Sequence, residues 1–343
     1  MSSHRRSHVV LLALAISTIG ACSSSPSLAP LGTGAAITGP LATTAAESPV
    51  QPSAPIPSPA GERRRSLAAI TLALGLPVAI SRAVAFTEGQ AILLAGGLSS
   101  NGTLRSVLAV DPSNRRREQV GQLAIDVHDA AGAIAGNRLL VFGGGNLAPV
   151  RTVQQLIGAN STVVGELPKA RADLAAVAFD GAVIVIGGGT PAQLDREILS
   201  TADGVTFRSI GTLRFGARYP AVAVASHRVL VVGGTDGSHD LSTIQAFDPA
   251  TGIVRVIGRL PRGLSHASAF TLGSRLFVAG GRTAGKAQDT IWEIDSTSGA
   301  ASVAGRLPLA VSDGAVVVLH GVAYLLGGET DTFQASIIAI RLV

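Results

Sequence analysis

Residues 229–234 read Val-Leu-Val-Val-Gly-Gly, a short aliphatic run closed by two glycines, and this stretch decides the fold because it recurs. Equivalent stretches stand at 92–97, 139–144, 183–188, 276–281 and 323–328. The first glycines of consecutive copies are separated by 47, 44, 46, 47 and 47 residues. Self-similarity at a fixed period of this length is typical of repeat architectures such as solenoids and propellers. The chain therefore contains six copies of one unit.

A second sequence marker recurs with the same spacing as the double glycines. A leucine, usually followed by proline, recurs with those same five intervals. These leucines are Leu76, Leu123, Leu167, Leu213, Leu260 and Leu307. Because two independent markers stay in register over six periods, a chance pattern is excluded.

Each period divides into four short β-type segments separated by turn residues. In the fourth unit these segments are PAVAVAS, RVLVVGG, STIQAFD and IVRVIGRL. Four strands of four to eight residues, repeated radially, are typical of a propeller blade. The sequence predicts an all-β protein with six four-stranded blades.

The repeats resemble kelch repeats over residues 67–343. The resemblance is carried by the double glycine after the second strand and by an aspartate that ends the third, as at Asp111, Asp248 and Asp295. The kelch pattern places a tryptophan about six residues after that aspartate, and this chain does not. The positions hold Arg117, Val254 and Ala301. We therefore expect smaller aliphatic side chains between the blades, and the motif predicts fold rather than function.

The ring of blades needs a closing strand. After the last double glycine only one further strand remains, SIIAIRLV, so the sixth blade lacks its fourth strand. Residues 67–76 end at the first marker leucine, Leu76, in the place that a fourth strand would occupy. We predict that this N-terminal segment completes the sixth blade and removes an exposed edge.

The amino terminus has the three-part form of a secretory signal. Arg5 and Arg6 precede a mostly apolar run over residues 9–20, which is too short to span a bilayer as a permanent helix. Residues 19–22, Ile-Gly-Ala-Cys, resemble the bacterial lipobox. That resemblance implies cleavage before Cys22, the only cysteine, and attachment of lipid to it.

The predicted organisation has three parts: a lipoprotein signal peptide over 1–21, the lipidated Cys22 with a disordered Ser-, Pro- and Ala-rich tether over 22–65, and the propeller over 66–343. The protein is thus expected in the cell envelope outside the cytoplasm, anchored to a membrane through Cys22. In a host with an outer membrane, we expect it there or in the periplasm. An unlipidated secreted protein is the alternative.

The composition limits the classes of partner that the protein is expected to bind. The net charge is +5, and it falls to +3 when Arg5 and Arg6 leave with the signal peptide. Acidic residues are interspersed with arginines and no basic stripe is visible, so no nucleic-acid partner is predicted. Nine Phe, two Tyr and one Trp offer little surface for stacking bases or sugars. We expect a monomer that needs no cofactor.

Candidate site residues come from the loops that enter each inner strand. In an up-and-down blade these loops share one face with the loops that follow the double glycines. The positions five and six residues after each marker leucine form the most polar column of the repeats. The candidates for the funnel rim are Arg82, His128, Asp129, Asp173, Arg218, Tyr219, His266 and Asp313.

This column suggests several kinds of chemistry. Ring order places Asp313, Arg82 and Asp129 side by side, where they can pair with one another. His266 beside Asp313 could act as an oriented base, but we expect adjacent blades to hold the two too far apart for a hydrogen bond. Three aspartates and two histidines are weak evidence for a set of metal ligands, so no metal site is predicted.

Three functions remain open at this point. The first is a non-catalytic module that binds an envelope protein or a glycan. The second is a carbohydrate-active enzyme of the sialic-acid mutarotase type, a secreted kelch propeller, using acid/base residues in the funnel. The third is a structural envelope protein. Galactose oxidase chemistry is excluded, because it requires a Cys–Tyr crosslink and the single cysteine is the anchor.

Overall fold

The computed structural model describes residues 66–158 and 160–343, and every regular element in them is a β-strand. The predicted signal peptide, Cys22 and the tether lie outside the described residues. Within the described part, no helix has the length and apolarity that crossing a membrane requires. The predicted all-β class is confirmed.

The strands form six blades of four antiparallel strands. Blade one contains β2 (Val84–Glu88), β3 (Ala91–Ala95), β6 (Ser106–Asp111) and β7 (Arg116–Gln122). Blade two contains β8 (Ala131–Ala135), β9 (Arg138–Phe142), β10 (Thr152–Ile157) and β11 (Asn160–Glu166). Blade three contains β12 (Ala172–Phe179), β13 (Ala182–Thr190), β15 (Glu197–Thr201) and β16 (Arg208–Thr212).

The second half of the chain continues the pattern. Blade four contains β17 (Ala221–Ala225), β18 (Arg228–Val232), β19 (Thr243–Asp248) and β20 (Ile253–Arg259). Blade five contains β21 (Ser268–Leu272), β22 (Arg275–Ala279), β25 (Thr290–Ile294) and β26 (Ala301–Arg306). Blade six contains β27 (Ala315–Leu319), β28 (Val322–Leu326), β29 (Ile337–Leu342) and β1 (Leu67–Thr71). Short strands extend the loops after the second strands: β4 (Leu98–Ser99), β5 (Gly102–Thr103), β14 (Gln193–Leu194), β23 (Arg282–Thr283) and β24 (Lys286–Ala287).

Blade four shows how the sequence builds one sheet. In β17 the alanines at 221, 223 and 225 are buried and the valines between them are partly exposed, which is the period of two expected of a strand. Strand β18 is buried over 229–232, since it is covered on both faces. Small alanines suit β17 because inner strands of neighbouring blades converge on the axis. The outermost strand, β20, is mostly exposed.

The hydrophobic core lies between blades rather than within them. Each of six buried clusters combines residues from two adjacent blades, and together they pass around the ring. Between blades four and five, for example, Leu230 and Val232 pack with Leu276 and Val278. The expected dominance of aliphatic side chains between blades is therefore confirmed.

The inner strands form a closed ring. Contacts join β2 to β8, β8 to β12, β12 to β17, β17 to β21, β21 to β27, and β27 back to β2. Blades one and two are also linked at their outer edges, where Asn160 of β11 pairs in parallel with Gln122 of β7. The predicted six-bladed propeller is confirmed.

The N-terminal strand closes the ring as predicted. Strand β1 pairs antiparallel with β29, from Leu67 opposite Leu342 to Thr71 opposite Ile338. Regular pairing ends at Thr71, whereas the predicted segment extends to Leu76. The amide of Leu76 still donates to the carbonyl of Ala335 at 2.7 Å. Blade six thus has no unpaired outer edge on β29.

The double glycines join each blade to the next. The N–H of Gly97 donates to the carbonyl of Val127 at 2.8 Å. The second glycine of each of the other five pairs makes the equivalent bond. The last of these runs from Gly328 to Ile80 of blade one, also at 2.8 Å. This close backbone approach explains why glycine recurs there.

Candidate functional site

Six loops meet at one end of the ring, each leading from the outer strand of one blade into the inner strand of the next. They surround a cavity of about 130 Å³, the funnel mouth. The residue six places after each marker leucine lines it: Arg82, Asp129, Asp173, Tyr219, His266 and Asp313. The loops after the double glycines lie on the same face, as expected, because Ser312 pairs with Glu329 across the two loop types.

A closed circle of backbone hydrogen bonds holds these six residues. All have a left-handed backbone, with φ between 51° and 59°. Each amide donates to the carbonyl of the equivalent residue in the preceding blade at 2.8–3.3 Å, and Arg82 completes the circle by donating to Asp313. Side chains other than glycine adopt this conformation rarely, at a cost of about 1–3 kcal/mol. The circle of bonds offsets that cost and makes the mouth rigid.

Arg82 is the centre of an ion network in the funnel mouth. Its Nε donates to Glu329 Oε1 at 2.9 Å and its Nη1 to Asp129 Oδ2 at 3.3 Å. Asp313 Oδ1 lies 3.9 Å from the same Nε. The side chains of Asp129 and Asp313 are only 8% and 2% exposed, so solvent screens these pairs weakly. The pairing suggested by ring order is present.

Glu329 and Arg282 belong to this network but were not predicted from the sequence. Arg282 Nη2 donates to Glu329 Oε2 at 2.8 Å, and its Nε donates to Asp313 Oδ2 at 3.5 Å. Both residues stand directly after a double glycine. That column contains charged residues in only the last two repeats, and this is the signal that could have identified them.

His266 and Asp313 form a hydrogen-bonded dyad across adjacent blades. The distance from His266 Nδ1 to Asp313 Oδ1 is 2.6 Å. Our expectation that adjacent blades hold them too far apart was wrong, because the left-handed loops bring the two backbones within hydrogen-bond distance as well. Tyr219 stacks on the His266 ring with centroids 3.7 Å apart. The dyad orients the imidazole and leaves Nε2 for a ligand.

The remaining predicted residues, His128 and Arg218, flank the mouth rather than line it. Arg218 pairs with the buried Asp173 through Nε, and its guanidinium carbon lies 5.6 Å from the centre of the Tyr219 ring. His128 Nε2 is 3.5 Å from Asp129. They therefore support side chains of the mouth. As ligand-binding residues, all eight stay a prediction.

Two carboxyl groups of the mouth have pKa values shifted in opposite directions. Burial raises the pKa of Asp129 to about 7, with Arg82 opposing the rise and neighbouring carboxylates adding to it. Burial alone would also raise the pKa of Asp313, yet hydrogen bonds from His266 and Ser312 hold it below its ordinary value. At neutral pH the mouth thus combines a partly protonated carboxyl group with an ionised one, which is a typical arrangement for acid/base work.

Two further groups favour their neutral forms. Burial raises the pKa of Tyr219 above its ordinary value, and the neighbouring carboxylates add to the shift. Burial lowers the pKa of His128, and the positive charge of Arg82 lowers it further.

Among residues 66–158 and 160–343, no group of three or more His, Cys, Asp or Glu side chains is placed to hold a metal ion.

The raised pKa of Asp129 predicts a pH-dependent stability. The folded-state pKa of about 7 lies above the ordinary 3.8, so folding favours the protonated form. This contribution is full below about pH 4 and is lost as the pH rises through about 7, and a shift of this size is worth a few kcal/mol. Between about pH 5 and about pH 8, we expect the Tm of the wild type to fall by more than the Tm of Asp129→Asn.

Thermal melts at the two pH values test this expectation. Asp180→Asn, on the opposite face of the propeller, is the control and should keep the wild-type dependence. Equal losses of Tm in the wild type and Asp129→Asn would contradict the assignment.

Comparisons with known proteins agree with this architecture. Residues 216–261 match the Kelch motif family. The solved structure titled "Structure of YjhT" superposes with a TM-score of 0.68 at 14% sequence identity, covering 78% of this chain and 96% of that one. At this identity the likeness concerns the fold alone. No curated protein matches the sequence.

Proposed function

Since the chain is a kelch-repeat β-propeller, we propose that it is a non-catalytic binding module whose funnel mouth recognises a polar group of a glycan or protein partner in the cell envelope. One observation carries this proposal. The rigid circle of backbone hydrogen bonds places six polar side chains around a single cavity. Because their geometry is set before a ligand arrives, little ordering entropy is lost on binding.

The size of the mouth limits what can enter it. Its volume of about 130 Å³ is below the range of roughly 300–1,000 Å³ typical of pockets that enclose a whole small molecule. The mouth can therefore take one polar end of a larger partner. The rest of the partner would lie over the surrounding loops, which supports a binding role.

The anchor forms the second part of the proposal: a lipid on Cys22 holds the protein to a membrane outside the cytoplasm. The direction of β1 fits this arrangement. It begins at Leu67, opposite Leu342, and runs toward Leu76 on the funnel-mouth face. The described propeller therefore begins on the face opposite the funnel mouth.

Metabolic labelling with an alkynyl fatty acid tests the anchor. We expect label on the wild-type protein and none on Cys22→Ser, because the thiol is the predicted attachment point. Membrane fractionation should show the same difference. Equal labelling of both proteins would contradict lipidation at Cys22.

A glycan array and an array of envelope proteins, probed with the full-length protein, test the binding role. Arg82→Lys retains a cation in the mouth beside Glu329 and Asp129 but loses the planar fork of donors. We expect this change to weaken binding by about tenfold, or about 1.4 kcal/mol. The matched control is Arg228→Lys, at the start of β18 on the opposite face, which should bind like the wild type. Undiminished binding by Arg82→Lys would contradict a role for the funnel mouth.

The alternative function, a sugar mutarotase, is favoured by one observation. Mutarotation needs a base for the anomeric hydroxyl proton and an acid for the ring oxygen, and the mouth contains the His266–Asp313 dyad and the partly protonated Asp129. Exchange between sugar anomers, measured by NMR, separates the two functions. An acceleration by the wild type that disappears in Asp129→Asn would establish the enzyme, and no acceleration would leave the binding module.

A further inference from the structure

A second, larger cavity opens on the same face beside the funnel mouth. This outer cleft lies across the loops of blades five, six and one, and its volume is about 710 Å³. Its lining includes Ser100, Arg282, Glu329, Asp331 and Phe333. Unlike the mouth, it falls within the range of roughly 300–1,000 Å³ typical of ligand sites.

Two residues connect the outer cleft to the funnel mouth. Glu329 lines the cleft and accepts hydrogen bonds from Arg82 of the mouth. Arg282 also lines the cleft and donates to Asp313 of the mouth. Since these ion pairs form the boundary between the two cavities, one extended molecule can contact both.

The loop that forms the outer wall of the cleft is held in one conformation by its own hydrogen bonds. Gln334 Nε2 donates to Thr330 Oγ1 at 3.0 Å and to the carbonyl of Thr332 at 2.9 Å. Glu329 and Phe333 also form an antiparallel bridge across the loop. Because the wall is preorganised, its side chains need little ordering on binding.

Phe333 is the aromatic residue that lines the outer cleft. Tyr219 is already covered, since His266 stacks on it and the guanidinium carbons of Arg82 and Arg218 lie 5.9 and 5.6 Å from its ring centre. Phe333 is half-buried and lines the open cleft. An aromatic ring offers a flat apolar surface to the apolar face of a pyranose.

The other groups of the cleft match the hydroxyls of a sugar. The carboxylate of Asp331 accepts hydrogen bonds, the guanidinium of Arg282 donates them, and the hydroxyl of Ser100 does both. A peptide fits the lining less well. Grooves that bind extended peptides supply apolar pockets for alternate side chains, whereas Ala79 is the only aliphatic side chain in this lining.

We infer that the outer cleft binds the second and following units of a saccharide chain whose terminal unit enters the funnel mouth. This inference rests on the proposed binding function and names its ligand class. The cleft would supply affinity through Phe333 and the mouth would select the terminal group.

Titration of a saccharide length series tests the inference. A glycan array first selects a saccharide that the full-length wild type binds, and its mono-, di- and trisaccharide forms are then titrated by calorimetry. We expect affinity to rise by about tenfold or more from monosaccharide to trisaccharide. Phe333→Leu, which keeps an apolar side chain but loses the ring, should abolish that rise and leave monosaccharide affinity unchanged. Asp331→Asn, at an exposed position, should reduce the rise without the same risk to packing.

Phe215→Leu is the matched control, because Phe215 is 45% exposed on the same face and does not line the cleft. It should retain the full rise. Equal affinity for all three lengths would overturn the inference and leave the proposed function intact. A protein ligand bound through the mouth, with no saccharide bound, would also overturn the inference alone. If neither class bound, both proposals would fail.

Discussion

Deletion of residues 66–75 is expected to lower the Tm of the propeller by more than about 15 °C, or to abolish its cooperative unfolding. These residues include β1, which supplies the outer strand of blade six. Without it, β29 becomes an unpaired edge and the ring is no longer joined between its first and last blades. Differential scanning calorimetry of the full-length protein and the deletion variant measures the effect.

Deletion of residues 24–60 is the control. These residues belong to the predicted tether and precede the part of the chain that the structure describes. Their removal should change the Tm by less than about 2 °C, which is the scale of a surface change. Small effects from both deletions would contradict closure by the N-terminal strand.

Gly234→Ala is expected to destabilise the protein by about 3–5 kcal/mol, at the upper end for a single substitution. Gly234 has a φ of 92°, and a Cβ atom there would lie 2.7 Å from Ala217 Cβ and 2.8 Å from the carbonyl oxygen of Arg218. Neither neighbour is the end of a flexible side chain, so the loop that enters blade four would have to move. Urea denaturation followed by circular dichroism measures the loss.

Gly237→Ala separates the clash from the backbone strain. Gly237 has nearly the same φ, 94°, but no atom lies within 4 Å of the position of its Cβ. Its replacement should cost only the left-handed strain of about 1–2 kcal/mol. If the two variants were equally stable, the double glycine would serve backbone conformation alone rather than close approach between blades.

The residues of the candidate site were predictable where they occupy the same position in every repeat. The position six residues after each marker leucine reaches the funnel mouth in all six units, because equivalent positions in a repeat occupy equivalent places around the axis. Glu329 and Arg282 follow the double glycines, and they were identifiable as the only charged residues at that position of the six repeats. The 2.6 Å contact between His266 and Asp313 was not predictable, because it depends on how closely two blades approach.

The sequence by itself determined the number of blades, the strand order within each blade, the closing strand and the face on which the loops meet. These follow from periodicity, since each unit must bury its apolar strands against the next one. Only the tertiary structure decided the left-handed circle from Arg82 to Asp313, the opposite pKa shifts of Asp129 and Asp313, and the outer cleft. The physical reason is that these features arise between blades. They depend on the radius and twist of the closed ring, and no single repeat encodes either quantity.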